Sequence, residues 1–178
     1  MLFDPTVFDN LKVAIENQVY DLDNLDGLIR ITNRTDRLDM AVMSRYFAIR
    51  FTLADASEVS ADMVLTASLA DLAAELLDKE GAAPACELRI VFDMPIVNVH
   101  EQCKQVEQVI QTVWQPEHPL EQTLSFSYGQ ENILYRNAAE LRFNRKINED
   151  QMNDIPDLLD HVLRTLEQLT PVIESSIK

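Results

Sequence analysis

The sequence predicts an α+β fold, a mainly antiparallel sheet with amphipathic helices packed on one face. Three observations predict it. Apolar residues alternate with polar ones at period 2 around Leu28–Thr32, Phe47–Leu53 and Cys86–Met94. Both ends of the chain carry apolar residues at the 3–4 spacing of a buried helix face. Strand-like and helix-like stretches are interleaved in the order α-β-β-(β)-α-β-α-β-β-α, which suits helices laid against a sheet.

Asp4-Pro5 opens the first helix, Asp as cap and Pro where its missing N–H is harmless. Val7, Phe8, Leu11, Ile15, Val19 and Leu22 follow at helical spacing. The acidic run from Asp21 opposes the dipole of a helix C-terminus, so the helix is expected to stop near Tyr20. Leu28 to Thr32 is a strand, and Asn33-Arg34-Thr35-Asp36 has turn composition. After it the apolar parity changes, which requires a turn or an inserted residue, expected within Met43–Tyr46. Residues 37–44 fit either a strand or a short helix, with two strands the preferred reading.

Ser57 to Gly81 holds a helix whose start has a capping-box pattern, Ser68 with Asp71. Leu69, Leu72, Ala73, Leu76 and Leu77 are its stripe, and Gly81 its stop. Residues 61–66 extend that helix or form a strand. Cys86 to Met94 is the cleanest strand, with Pro95 as its end. Asn98 and Glu101 cap a helix with Val99, Cys103, Val106, Ile110 and Val113 buried and Trp114 at its end. Leu124, Phe126 and Tyr128 mark a strand that turns at Gly129. Residues 133–135 and 139–143 follow, with a break near Asn137. A long helix closes the chain, with Pro156 in its first turn and a kink or restart at Pro171. The whole is expected to be one domain, residues 1–178, the alternative being two small α+β units meeting near 81–85.

Composition narrows the function classes. The 178 residues hold 30 acidic and 15 basic side chains, for a formal net charge of −15. Small soluble domains carry a magnitude of roughly 2–8. Such an excess disfavours nucleic acid and anionic membranes as partners. With 3 glycines no Gly-rich phosphate loop can form. No apolar run approaches the ~18 residues of a span, and no secretory signal opens the chain, so a cytoplasmic location is expected. The Asn33-Arg34-Thr35 glycosylation triplet is then a chance match.

No catalytic or metal motif emerges. The acidic run before Gly27 fails the calcium-loop register, because position 1 would be Leu22 and position 12 Asn33. His100 and Cys103 share a helix face, yet zinc needs two further ligands, and His118 and Cys86 lie at no recognisable spacing. No cofactor is expected.

The arginines are the distinctive feature. Ten basic residues fall in strands or their turns, and within strands they take the polar parity. If the strands share one sheet, Arg30, Arg50, Arg89 and Arg142 lie on the face away from the helices. Pairing with neighbouring Glu87, Asp93 and Glu140 is the plain expectation. The sharper one is a surface that docks a partner or an anion, which arginine's planar fork suits. In small size, strong acidity, α+β order and long apolar C-terminal helix, the chain resembles type III secretion chaperones, a likeness of fold class with no shared motif. The expectation is a non-enzymatic interaction module, chaperone-like or adaptor, binding a protein partner through a sheet face or edge, and homodimeric. The alternative is a small-molecule anion binder or enzyme with an arginine-lined cleft.

Overall fold

In the computed structural model, which describes residues 6–78 and 80–177, six antiparallel strands form one sheet. They are β1 (Ile29–Asp39), β2 (Ser44–Leu53), β3 (Ser60–Ala67), β4 (Glu87–Ile96), β5 (Glu121–Ser125) and β6 (Tyr135–Arg142). Their spatial order is β1-β2-β3-β4-β6-β5, so strands from both sides of Gly81 share the sheet. Three long helices, α1 (Val7–Asn24), α3 (Val99–Trp114) and α4 (Ile155–Ile177), contact its inner face, and a short α2 (Leu69–Leu76) follows β3. A 3-10 turn over Glu149–Asp154 leads into α4.

The inner face reads across the strands as Ile31, Phe51, Ala61, Phe92 and Ala139, with Phe47, Leu65 and Leu88 in a parallel row. Leu11 and Ile15 of α1, Val106 and Ile110 of α3, and Leu159, Val162, Leu166, Leu169 and Ile173 of α4 fill it from the other side. Burying each such side chain contributes about 1.5–3 kcal/mol.

Several local expectations need correction. Asp4-Pro5 lies outside the described residues, and the first helix is capped by Thr6, whose Oγ1 accepts from the Asp9 N–H at 3.2 Å. The helix does not stop at Tyr20 but runs to Asn24. Leu22 packs against the core, and Asp23 accepts from the Ile31 N–H at 3.1 Å. Together these outweigh a dipole penalty of about 0.3–1 kcal/mol. Gly27, at φ +63°, then reverses the chain.

Asn33–Asp36 is strand, not turn. The parity changes twice: a bulge at Thr32, where Ile31 and Asn33 face the consecutive residues Phe51 and Arg50, shifts the rest of β1, and the β1–β2 turn gives the later change expected within Met43–Tyr46. Beyond the bulge Arg34, Asp36 and Leu38 point to the helix side. The turn lies at Met40–Met43, with Met43 at φ +52°. Residues 61–66 belong to β3. As a central strand it is buried on both faces, so its alternation is blurred in the sequence.

α2 is shorter than expected and ends before Gly81, with Asp78 at φ +42° after its Leu77 cap. The Ser68–Asp71 capping box is present. Its apolar stripe is not buried: Leu72 and Ala73 are half-covered, whereas Leu69, Leu76 and Leu77 are exposed. β4 passes through Pro95 to Ile96. β3 pairs only as far as Asp93, so the missing N–H falls where β4 has lost one neighbour.

β5 lies at Glu121–Ser125, leaving Phe126 and Tyr128 exposed beyond it. β6 is unbroken at Asn137, whose buried Nδ2 donates to Gln122 Oε1 at 2.8 Å. In α3 the buried stripe is Gln102, Val106 and Ile110, with Cys103 half-covered. α4 continues through Pro171 without restarting, with Leu169 and Ile173 both anchored in the core.

Candidate functional site

The outer face of the sheet carries the candidate site. Its rows follow from strand register. One row runs Arg30, Thr52, Ser60, Asp93, Ala138, Thr123. The next is Asn33, Arg50, Asp62, Val91, Glu140, Glu121. Then come Thr35, Ala48, Val64, Arg89, Arg142, and finally Arg37, Tyr46, Thr66, Glu87. Arg30, Arg50, Arg89 and Arg142 thus share one face, as parity predicts. Arg34 and Arg45 do not join them.

Those two, with Asp36, sit under α1. Lys12 donates to Asp36 at 2.9 Å, and Arg45 reaches Asp9 at 3.3 Å and Asp36 at 3.7 Å. Arg34 bonds Glu16 at 2.5 Å, which holds its guanidinium pKa above the ordinary value. Burial pushes the Asp36 carboxyl up. The Lys12 hydrogen bond and the Lys12, Arg45 and Arg34 charges outweigh it and leave the pKa below the usual carboxylate value.

The outer face is a charge mosaic rather than a basic array. Arg30, Arg37, Arg50, Arg89, Arg136 and Arg142 stand among Asp39, Asp62, Glu87, Asp93, Glu121 and Glu140. Arg50 grips the opposing Asp62 in a fork, Nη2 to Oδ2 at 2.6 Å and Nε to Oδ1 at 3.0 Å, which raises the Arg50 pKa. Arg136 pairs with Asp93. Arg89 and Arg142 both turn to Glu140, at 3.5 and 2.5 Å. Arg37 lies 4.3 Å over the Tyr46 ring. Arg30 has no ion pair among the described residues.

At the end of this face near the β1–β2 turn lies a cleft of about 780 Å³, lined among others by Arg37, Leu38, Met40, Tyr46, Asp71 and Glu87. Exposed apolar side chains stand on the two elements that rim it. Leu38, Met40, Val42 and Met43 belong to the hairpin, Leu69 and Leu76 to α2, and Leu77 to its C-cap. A second cleft, of about 340 Å³, shares Thr66 and Glu87 with the first and continues to Arg145 and Lys146.

Sequence reasoning singled out the arginines but missed both this apolar rim and the grouping of Arg145 and Lys146 with Arg89 and Arg142. The signal for the rim lies in the apolar stripe of α2, whose Leu69, Leu76 and Leu77 are exposed.

The histidines and cysteines are not assembled into a centre. Among the described residues no group of three or more His, Cys, Asp or Glu is placed to hold a metal ion. Cys86 is buried and bridged to the Ile147 backbone; burial, then Asp71 and Glu75, push its thiol up to about 12. Burial also raises the Cys103 thiol. Both thiols are therefore poor nucleophiles. Among the described residues no helix is long and apolar enough to cross a membrane.

Comparison with known proteins finds no matching family model, no matching curated protein and no matching solved structure. The resemblance to type III secretion chaperones rests on fold class alone.

Proposed function

We propose that the protein is a non-enzymatic cytoplasmic interaction module, chaperone-like or adaptor, that forms a homodimer and takes a protein partner along the open face or edge of its sheet. One observation carries the reading. Seven large apolar side chains are exposed on the β1–β2 hairpin and on α2 with its cap, and two of them, Leu38 and Met40, line a cleft at the end of the charge-patterned outer face. Exposed apolar clusters rimmed by polar groups suit protein–protein contact. The balanced charge mosaic supplies specificity by pairing rather than bulk attraction. The resemblance to secretion chaperones points the same way.

The test uses two sites. Leu76→Asp changes a side chain that is 70% exposed. Arg50→Glu places a carboxylate opposite Asp62. Wild-type protein is expected to associate with increasing concentration in sedimentation runs and to retain a specific partner on affinity capture. Both variants are expected to lose that partner while melting within a few degrees of wild type. An unchanged partner profile in both would overturn the reading.

A further inference from the structure

The geometry points to a carboxylate-binding site in the 340 Å³ cleft beside the ends of β3 and β6 and the start of β4. In a chain with twice as many acids as bases, this cleft is lined by Arg89, Arg142, Arg145 and Lys146, with Glu87 as the acid among them.

The arginines are incompletely satisfied. Arg89 and Arg142 are directly opposite each other on adjacent strands. Like charges so placed repel. Their compensation among the described residues is one oxygen: Glu140 Oε1 lies 3.5 Å from Arg89 Nη1 and 2.5 Å from Arg142 Nε. The Arg89 Nε is buried and has no acceptor. Buried donors are nearly always partnered, so this one marks a deficit of negative charge at the cleft.

The other two cations frame the opening. Asp71 fixes Lys146 at 2.8 and 2.9 Å. Arg145 is exposed, with no ion pair among the described residues. Setting Glu87, Glu140 and Asp71 against the four cations leaves a single positive charge. That balance fits a carboxylate better than a dianionic phosphate, and guanidinium forks match carboxylate geometry. Phe143, edge-on to Trp114, adds apolar wall for the body of the ligand. The same carboxylate chemistry comes from a free small acid or from an acidic side chain of a peptide.

Three probes decide, each followed through the Arg Nε–H resonances of the full chain: benzoate, a capped hexapeptide with one glutamate, and phenyl phosphate. At least one carboxylate is expected to move the Arg89 and Arg142 resonances saturably and more tightly than phenyl phosphate. Whichever of benzoate and peptide binds tighter identifies the source. Arg145→Ser is expected to weaken that carboxylate at least about tenfold, the loss of one charge-assisted hydrogen bond. Arg30→Ser, on the same face outside the cleft, leaves its affinity unchanged. No saturable shift with either carboxylate, tighter phenyl phosphate binding, or equal losses in the two variants would overturn the site. This inference does not rest on the interaction module, since neither Leu76 nor Arg50 lines the cleft.

Discussion

Asp36 shows how a single carboxylate ties the edge of the sheet to a helix. It accepts from Lys12 at 2.9 Å, with Arg34 at 3.5 Å and Arg45 at 3.7 Å. Its pKa is depressed in the fold, so its stabilisation is present above the unfolded value of about 3.9 and is lost as pH falls through the folded value. Asp71 behaves alike, its burial outweighed by the Lys146 and Ser68 hydrogen bonds. The Lys146 pKa is raised by its Asp71 bond, so that contribution fades instead as pH climbs beyond the folded lysine value. Asp36→Asn is expected to cost about 1 kcal/mol at pH 6, at the upper end for a partly exposed network. In urea unfolding, the gap between variant and wild type should close as the pH is taken below 3. A gap of the same size at both pH values would show that Asp36 acts through packing.

At the scale of the element, α2 is the plainest case of a local signal that survives folding. Ser68 accepts from the Asp71 N–H at 3.3 Å, and the Asp71 carboxylate accepts from the Ser68 N–H at 3.1 Å. Ser68→Ala is expected to cost about 1 kcal/mol. The loss should appear first as faster amide exchange within residues 69–76, because α2 buries little. Unchanged exchange there would mean that the Glu75 bond to the Val7 N–H, at 2.8 Å, holds the helix instead.

The elements that sequence made legible share a cause. The helices beginning near Thr6, at Asn98 and at Ile155, and the strand from Glu87, each bury one face, so their periodicity is clean. The long β1 was obscured because the bulge at Thr32 moves later residues to the other parity, which scattered one strand into two. β3 was obscured because it is covered on both sides. The arginine face was legible for the same reason as the strands. Parity assigns Arg30, Arg50, Arg89 and Arg142 to one side whichever strands are neighbours. Of the acids that answer them, Glu140 was legible as well, two residues before Arg142 on the same strand, whereas Asp62 was not, because it meets Arg50 only through the pairing of β2 with β3. Arg145 and Lys146 lie beyond the last strand, where no period places them.

For the whole molecule, the charge is unevenly spread. The outer face is balanced, so the excess behind the net charge of −15 sits elsewhere, largely on helices and loops. Those acids repel one another through solvent, and salt screens such long-range terms more than the close pairs. Raising NaCl from about 10 to about 200 mM is therefore expected to raise the melting temperature by roughly 2–4 °C, the shift of about 1 kcal/mol in a chain of this size. A fall would show that the ion pairs of the sheet edge and outer face outweigh the repulsion.

The sheet order also sets a schedule for synthesis. β1, β2 and β3 are neighbours in sequence and in space, so they can pair as soon as they emerge. Their inner face is shared between α1, made before them, and α4, made after them. About 110 residues separate the end of β3 from the end of α4, which at roughly 5–20 residues per second is about 5–20 s of translation. During that interval β2 and β3 wait beside the ribosome without α4, which finally packs against both.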